Sequence, residues 1–209
     1  MNKTKFILKL VIYIALTFTF SCSSGNDNDD RNSFSYQGKT YKTVKIGSQT
    51  WMAENLNHEV SGSLCYKRNP ANCNKYGRLY KWEAAKKACP EGWRLPSNAD
   101  WDKLVRHADG TSGTESPYNS PTAGKFLKAD NGWNGGGNGT NDFGFSALPG
   151  GYGSSDGDFY SVGEYGFWWS AIEDGSSFAY YRDMDYNAEY VSWSSAHKYA
   201  MFSVRCVQE

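Results

Sequence analysis

Residues Ala88 to Trp101 read ACPEGWRLPSNADW, and this stretch decides the fold because two helices meet in it. Upstream, Leu79, Trp82, Ala85 and Ala88 recur on one helical face, which predicts a helix over 79–88 with Glu83 placed to pair with Lys87 at i,i+4. Pro90 stops it. Downstream, Ser97 is a good N-cap and Asp100, three residues on, completes a capping-box pattern. Trp101, Leu104, Val105 and Ala108 then follow at i, i+3, i+4 and i+7, the spacing of a second helix with one buried face.

Outward from this pair the chain reads as strands. Tyr41 to Ile46 alternates, Gly47-Ser48 is a two-residue hairpin turn of the Gly-X kind, and Gln49 to Leu56 is the returning strand. The C-terminal third predicts strands at 167–171, 178–186, 190–193 and 200–207. In the last of these Ala200, Phe202, Val204 and Cys206 share a face by the period-two rule. Between Asp109 and Gly166 regular periodicity fails. Ten of the 22 glycines lie from Asn131 to Gly157, and the aromatic residues among them favour ordered loops. No Gly-Lys-Ser/Thr follows any of these glycines, so it is no phosphate loop. Two helices, strands on either side of them and a long Gly-rich loop region make the fold class α+β.

The N-terminus predicts export. Lys3, Lys5 and Lys9 precede an apolar run from Leu10 to Phe20, which is too short for a confident spanning helix and suits a secretory signal. Ser21 stands directly before Cys22, and polar residues begin at once. That arrangement resembles the lipobox of bacterial lipoproteins in a relaxed form, with Thr19 and Phe20 in place of the usual Leu and small residue. Residues 1–21 are thus expected to leave, Cys22 to carry lipid, 22–35 to be a flexible acidic tether, and 36–209 to be the domain. Residues 23–31 hold no apolar side chain, so nothing in them offsets the entropy of ordering. Their three Asp also resemble the acidic export signal of surface lipoproteins. The expected location is the outer membrane, facing outward, with the membrane as partner through the lipid.

Losing the three signal lysines takes the formal charge from 0 to −3, so no basic field attracts nucleic acid. Aromatic residues are 16% of the chain, more than a disordered segment carries and enough to leave Trp and Tyr for a contact surface. Once Cys22 is assigned to lipid, Cys65, Cys73, Cys89 and Cys206 remain, an even number that in an exported chain implies disulfides in one of three connectivities. Cys206 points to the core with its apolar neighbours, and Cys89 ends a helix whose buried face holds Ala85 and Ala88. The expected pairs are Cys89–Cys206 and, locally, Cys65–Cys73. Zinc is disfavoured, since there is no C-x-x-C and His58, His107 and His197 are scattered.

Five stretches together resemble a known family: YKTVKIGSQTWMAENLN (41–57), YGRLYKW (76–82), ACPEGWRLPS (88–97), DFGFSALPGG (142–151) and FSVRCV (202–207). They are similar in content and order to the Fibrobacter succinogenes major paralogous domain, over about residues 36–208. The resemblance implies a C-type lectin-like fold, with two helices packed on antiparallel sheets and a long loop region, in which a Cys at the end of the first helix bonds a Cys in the last strand. It defines no activity, since the family is known mainly as exported domains.

The expected function is binding, of polysaccharide or a surface protein, through loops that project from a disulfide-stapled core. A structural or adhesive surface role is the alternative. The candidate ligand residues are Asn141, Asp142, Tyr152, Asp156, Asp158 and Tyr160, since aromatic faces stack on sugar rings and carboxylates ligate Ca²⁺. Each also has a bland reading, because Asn and Asp beside Gly cap turns and Tyr packs over loops. Calcium lacks a motif: Glu-Pro-Asn, Gln-Pro-Asp, Trp-Asn-Asp and the EF-hand loop are all missing. No cofactor or catalytic residue is expected. The run from Gly92 to Ser97 with Asp100-Trp101 also resembles formylglycine-generating enzymes, but those use reactive Cys at a copper site, and the Cys here are assigned to disulfides. Glu164 and Glu173 cannot be placed as an acid–base pair by spacing.

Overall fold

The computed structural model describes residues 32–111 and 120–209. The expected signal, Cys22 and most of the tether lie outside the described residues. Chain order runs β1 (Ser33–Tyr36), β2 (Lys39–Ile46), β3 (Gln49–Met52), β4 (Ser63–Leu64), α1 (Pro70–Tyr76), β5 (Leu79–Lys81), α2 (Trp82–Ala88), β6 (Trp93–Arg94) and α3 (Asn98–Asp109). It continues with α4 (Ala123–Leu127), β7 (Gly150–Gly153), β8 (Phe159–Val162), β9 (Tyr165–Asp174), β10 (Phe178–Asp185), β11 (Ser192–His197), β12 (Met201–Ser203) and β13 (Val207–Gln208). The result is a strand-rich α+β architecture.

Strands β1-β2-β3-β13-β6 form a five-stranded sheet. An eight-stranded sheet runs β11-β10-β9-β7-β12-β5-β4, with β8 paired to β7. The Gly47-Ser48 turn closes β2 on β3 with Ile46 opposite Gln49, and Gly47 supplies the positive φ of 60° that such a turn demands. One apolar cluster joins Ile46, Trp51 and Phe145 to the buried face of α3 and to Trp168. A second gathers Tyr41, Tyr80, Trp82, Trp169 and Phe202. Adjacent residues of β9 thus project to opposite faces of one sheet and enter different clusters, as the pleat requires.

Several expectations need correction. Leu79 and Tyr80 are strand, not helix: they pair with Ser203 and Phe202, so sheet pairing overrides a helical periodicity that was real only from Trp82 on. Glu83 pairs with Lys86 at 3.1 Å, not with Lys87. The returning hairpin strand ends at Met52 rather than Leu56. Residues 33–35, assigned to the tether, belong to β1. There are four α-helices among the described residues, not two: α1 carries Cys73, and α4 with β7 and β8 interrupts the Gly-rich region. The sheets are mainly antiparallel, but β9 runs parallel to both β7 and β12.

The capping box on α3 is present in full, Ser97 and Asp100 exchanging bonds. The expected strand over 200–207 divides instead. Met201–Ser203 belongs to the larger sheet, Val207–Gln208 to the smaller, and between them Val204 and Cys206 accept from Leu56 N–H (2.8 Å) and Met52 N–H (3.0 Å). Phe202, Val204 and Cys206 still enter one cluster, with Ala200 at its edge. The sulfurs of Cys89 and Cys206 are bonded at 2.13 Å across 117 residues, and those of Cys65 and Cys73 at 2.07 Å across 8.

Candidate functional site

Four neighbouring strands of the larger sheet each lend one ring to an open cleft: Tyr152 from β7, Phe167 from β9, Tyr181 from β10 and Phe202 from β12. The cleft measures about 360 Å³, and Ser154, Ser155, Ala196 and Ala200 complete its wall. Alternation builds it. Tyr165, Phe167 and Trp169 face this side of β9, while Gly166 and Trp168 face the other. Phe202 lies at the centre of the floor, stacked on Phe167 at 5.1 Å and tilted on Trp169 at 4.3 Å, with the edge of Tyr181 at 4.9 Å. Tyr152 meets Phe167 edge-on at 5.3 Å, and Tyr165 stacks on Phe167 at 5.6 Å. Rings so braced hold their orientation before any ligand arrives.

The rim is the β7–β8 hairpin. Tyr152 and Tyr160 are cross-strand partners, rings 5.5 Å apart. Gly151 lets the two strands close: its φ is 64°, and a Cβ there would lie 2.3 Å from the Tyr160 carbonyl oxygen. In the loop Ser154 Oγ donates to Asp156, and Ser154 N–H donates to the Asp158 carbonyl at 2.8 Å. The hydroxyl of Ser154 holds the exposed Asp156 carboxyl below its ordinary range. The negative charge of Asp158 raises the Tyr160 phenol, which sits 3.5 Å from it.

Beyond Tyr181, the residues of β10 on the same face, Asp183 and Asp185, are polar. Burial raises the Asp183 carboxyl, against the Ser192 hydroxyl that donates to it at 2.6 Å. Hydrogen bonding to Asp185 holds the Tyr165 phenol up at about 12. The arrangement is an aromatic floor with hydroxyl and carboxylate edges, suited to a ligand with one flat apolar face and a hydroxyl periphery.

Of the six candidates from sequence, Tyr152 lines the cleft, and Tyr160, Asp156 and Asp158 lie on its rim hairpin. Asn141 and Asp142 belong elsewhere. Asn141, at φ 53°, staples its own loop, accepting from Ser146 N–H at 2.7 Å and donating to Ser146 Oγ at 2.9 Å. Exposed Asp142 precedes Phe143, which packs on the α3 cluster rather than on the cleft. Sequence reasoning missed Phe167, Tyr181 and Phe202, because ring residues in strands read as core. The available signal was the unbroken ring alternation Tyr165-Phe167-Trp169 on one face. Among the described residues no group of three His, Cys, Asp or Glu is placed to hold a metal. His58, His107 and His197 sit apart, each against a different aromatic ring.

A family model described as the Fibrobacter succinogenes major domain matches residues 44–208. No curated protein and no solved structure matches significantly.

Proposed function

The chain belongs to the Fibrobacter succinogenes major domain family, and from that premise we propose that it is an exported, lipid-anchored binding module that grips polysaccharide in the aromatic cleft. The carrying observation is the convergence of Tyr152, Phe167, Tyr181 and Phe202 from four strands on one solvent-open concavity. Large rings fixed by one another present apolar area at little entropic cost. Ser154 and Ser155 line the cleft with their hydroxyls, and Asp156 and Asp158 follow them in the same hairpin loop.

Within this reading the fold is C-type lectin-like, supported by helices joined through ACPEGWRLPS and by a disulfide from the end of α2 to the last turn of the chain. Cys22 carries the lipid and the domain faces outward from the outer membrane. Binding needs no calcium, since sugar stacking and hydrogen bonding supply the contacts. The role is recognition rather than catalysis: the four domain cysteines are held in disulfides, and Asp156 is tied into its own loop.

A glycan array probed with and without Ca²⁺ tests the proposal. Calcium-independent retention of a polysaccharide, weakened about tenfold in Tyr181→Ala through lost apolar contact, is the expected result. No glycan bound, with the domain folded and adhering to cells through protein, would transfer the chain to the adhesive reading. The anchor is tested separately, by the mass of the mature N-terminal peptide.

A further inference from the structure

On α3, Lys103, Arg106 and His107 stand at i, i+3 and i+4, one face of the helix. With the Ile46–Gln49 turn and Gly110-Thr111 they line a groove of about 460 Å³. Among the described residues no carboxylate lines it, and none of the three side chains takes part in an ion pair. Arg106 Nε is shut off from solvent and makes no hydrogen bond to any described protein group.

Basic residues in a last helical turn commonly satisfy the free terminal carbonyls. Here the backbone does that: Gly110 N–H donates to His107 O at 3.2 Å and Thr111 N–H to Arg106 O at 3.1 Å. The cation cluster is left over from capping. His107 is also held in place, edge-on to Phe143 at 5.4 Å, and a Cβ at Gly47 would lie 3.1 Å from its Nδ1. A bare turn pressed against a fixed imidazole leaves the face toward Lys103 and Arg106 open.

We propose that this groove holds the carboxylate or sulfate group of an acidic glycan, bound by Lys103, Arg106 and His107. An anion there would accept charge-assisted bonds from donors that no protein group uses. The occupant is larger than a free ion. At roughly 30 Å³ per water, the groove holds several times the volume of an oxyanion. It also continues past Lys103, Ser48 and Gln49 into a second hollow of about 280 Å³ that reaches Gln208 and Asp100. The first hollow takes the charged group, and the second adds the Gln208 amide and Arg94. The Asp100 carboxylate there is already bonded to Arg94, Ser97 and Gln49, and the lining includes Glu209. A chain with its anionic group in the first hollow therefore fits the trough better than a single residue. This inference deepens the glycan-binding reading at a surface separate from the aromatic cleft.

The test uses the intact protein at low salt, with polygalacturonate and chondroitin sulfate as probes against a neutral glucan, inorganic sulfate and polyglutamate. The expected result is binding of an acidic glycan that weakens with added salt. It falls about tenfold in Lys103→Glu and in Arg106→Gln. Lys103 is exposed, so its variant keeps the fold, as a circular dichroism melt verifies. Acidic glycan bound equally by Lys103→Glu overturns the proposal, as does binding lost only in Tyr181→Ala, and the second result leaves the cleft reading standing. Retention of inorganic sulfate alone, or of polyglutamate as tightly as of the glycans, also overturns it.

Discussion

Asp100 shows how one side chain can serve several contacts at once, Gln49 Nε2 among its donors at 3.2 Å. It accepts from Ser97 N–H and Ser97 Oγ and forms a forked pair with Arg94 at 2.6 and 2.9 Å. Burial pushes its pKa up, but the guanidinium and the Ser97 donors outweigh burial and hold it at about 2. A carboxyl whose folded pKa lies below its unfolded value stabilises the fold above the unfolded value. That contribution is lost as pH falls from about 4 through about 2, and it amounts to about 2 kcal/mol at most given the partial exposure of Arg94. Asp100→Asn should therefore lower stability at pH 7 by about 1–2 kcal/mol. It should also flatten the loss of stability between pH 4 and 2, as urea titrations at each pH would show; a variant keeping the wild-type acid slope would remove Asp100 from the account.

Arg205 is the opposite case, a fully enclosed cation with no carboxylate partner among the described residues. Its acceptors are neutral: Asn55 Oδ1 at 2.7 and 3.1 Å, the Phe145 carbonyl and the Ser146 carbonyl. Phe145 also stacks beneath it at 4.4 Å. Burial pulls its pKa down to about 9, which still leaves it charged at neutral pH. Asn55 Oδ1 meanwhile accepts from Trp168 Nε1 at 2.9 Å, so one amide oxygen joins both sheets' interiors. Asn55→Leu should destabilise by about 3–5 kcal/mol, since it strands a buried charge. Guanidinium chloride unfolding measures this, and a loss under about 1 kcal/mol would mean that other acceptors suffice. Nothing in the sequence marks Arg205 or Asn55 as partners, because they lie 150 residues apart.

At the scale of elements, α3 was readable because its whole signal is local: cap, box and apolar stripe fall within Ser97 to Ala108. The β2–β3 hairpin was readable for the same reason. Leu79–Lys81 was not, since its strand conformation depends on β12, more than a hundred residues on. Helix α4, of 5 residues, is too short to display a periodicity. The cleft was half legible. Loop chemistry pointed to Tyr152, Asp156, Asp158 and Tyr160, while the rings contributed by β9, β10 and β12 become a floor only when those strands are set side by side. The Cys89–Cys206 bond links α2 to the segment that passes between sheets. Its loop of 117 residues contributes about 4–5 kcal/mol in the chain-entropy account, against about half that for the loop of 8 closed by Cys65–Cys73. Replacing Cys89 and Cys206 together by Ala should thus shift the denaturant midpoint about twice as far as replacing the local pair. Equal shifts would show that the longer bond relieves no unfolded-chain entropy.

For the molecule as a whole, the two large clusters have little chance to melt separately. Trp168 belongs to one and Trp169 to the other, on consecutive positions of β9. The C-terminal segment is similarly shared. Met201–Ser203 lies in the larger sheet and Val207–Gln208 in the smaller, so losing either sheet releases the strand that completes the other. An indole hydrogen bond reinforces the link, Trp101 Nε1 of the first cluster donating to the Trp169 carbonyl of the second at 3.4 Å. One cooperative transition is therefore expected with the disulfides intact, tryptophan fluorescence and far-ultraviolet circular dichroism moving together and the calorimetric enthalpy equal to the van't Hoff value. Fluorescence that changed ahead of the dichroism would mean that one cluster opens while its sheet persists. The cleft would then rest on a floor that can loosen by itself, because Phe202 and Trp169 are both members of the second cluster. A rigid floor and a single transition are thus two consequences of one arrangement, in which β9 and the final ten residues are each shared between the halves of the core.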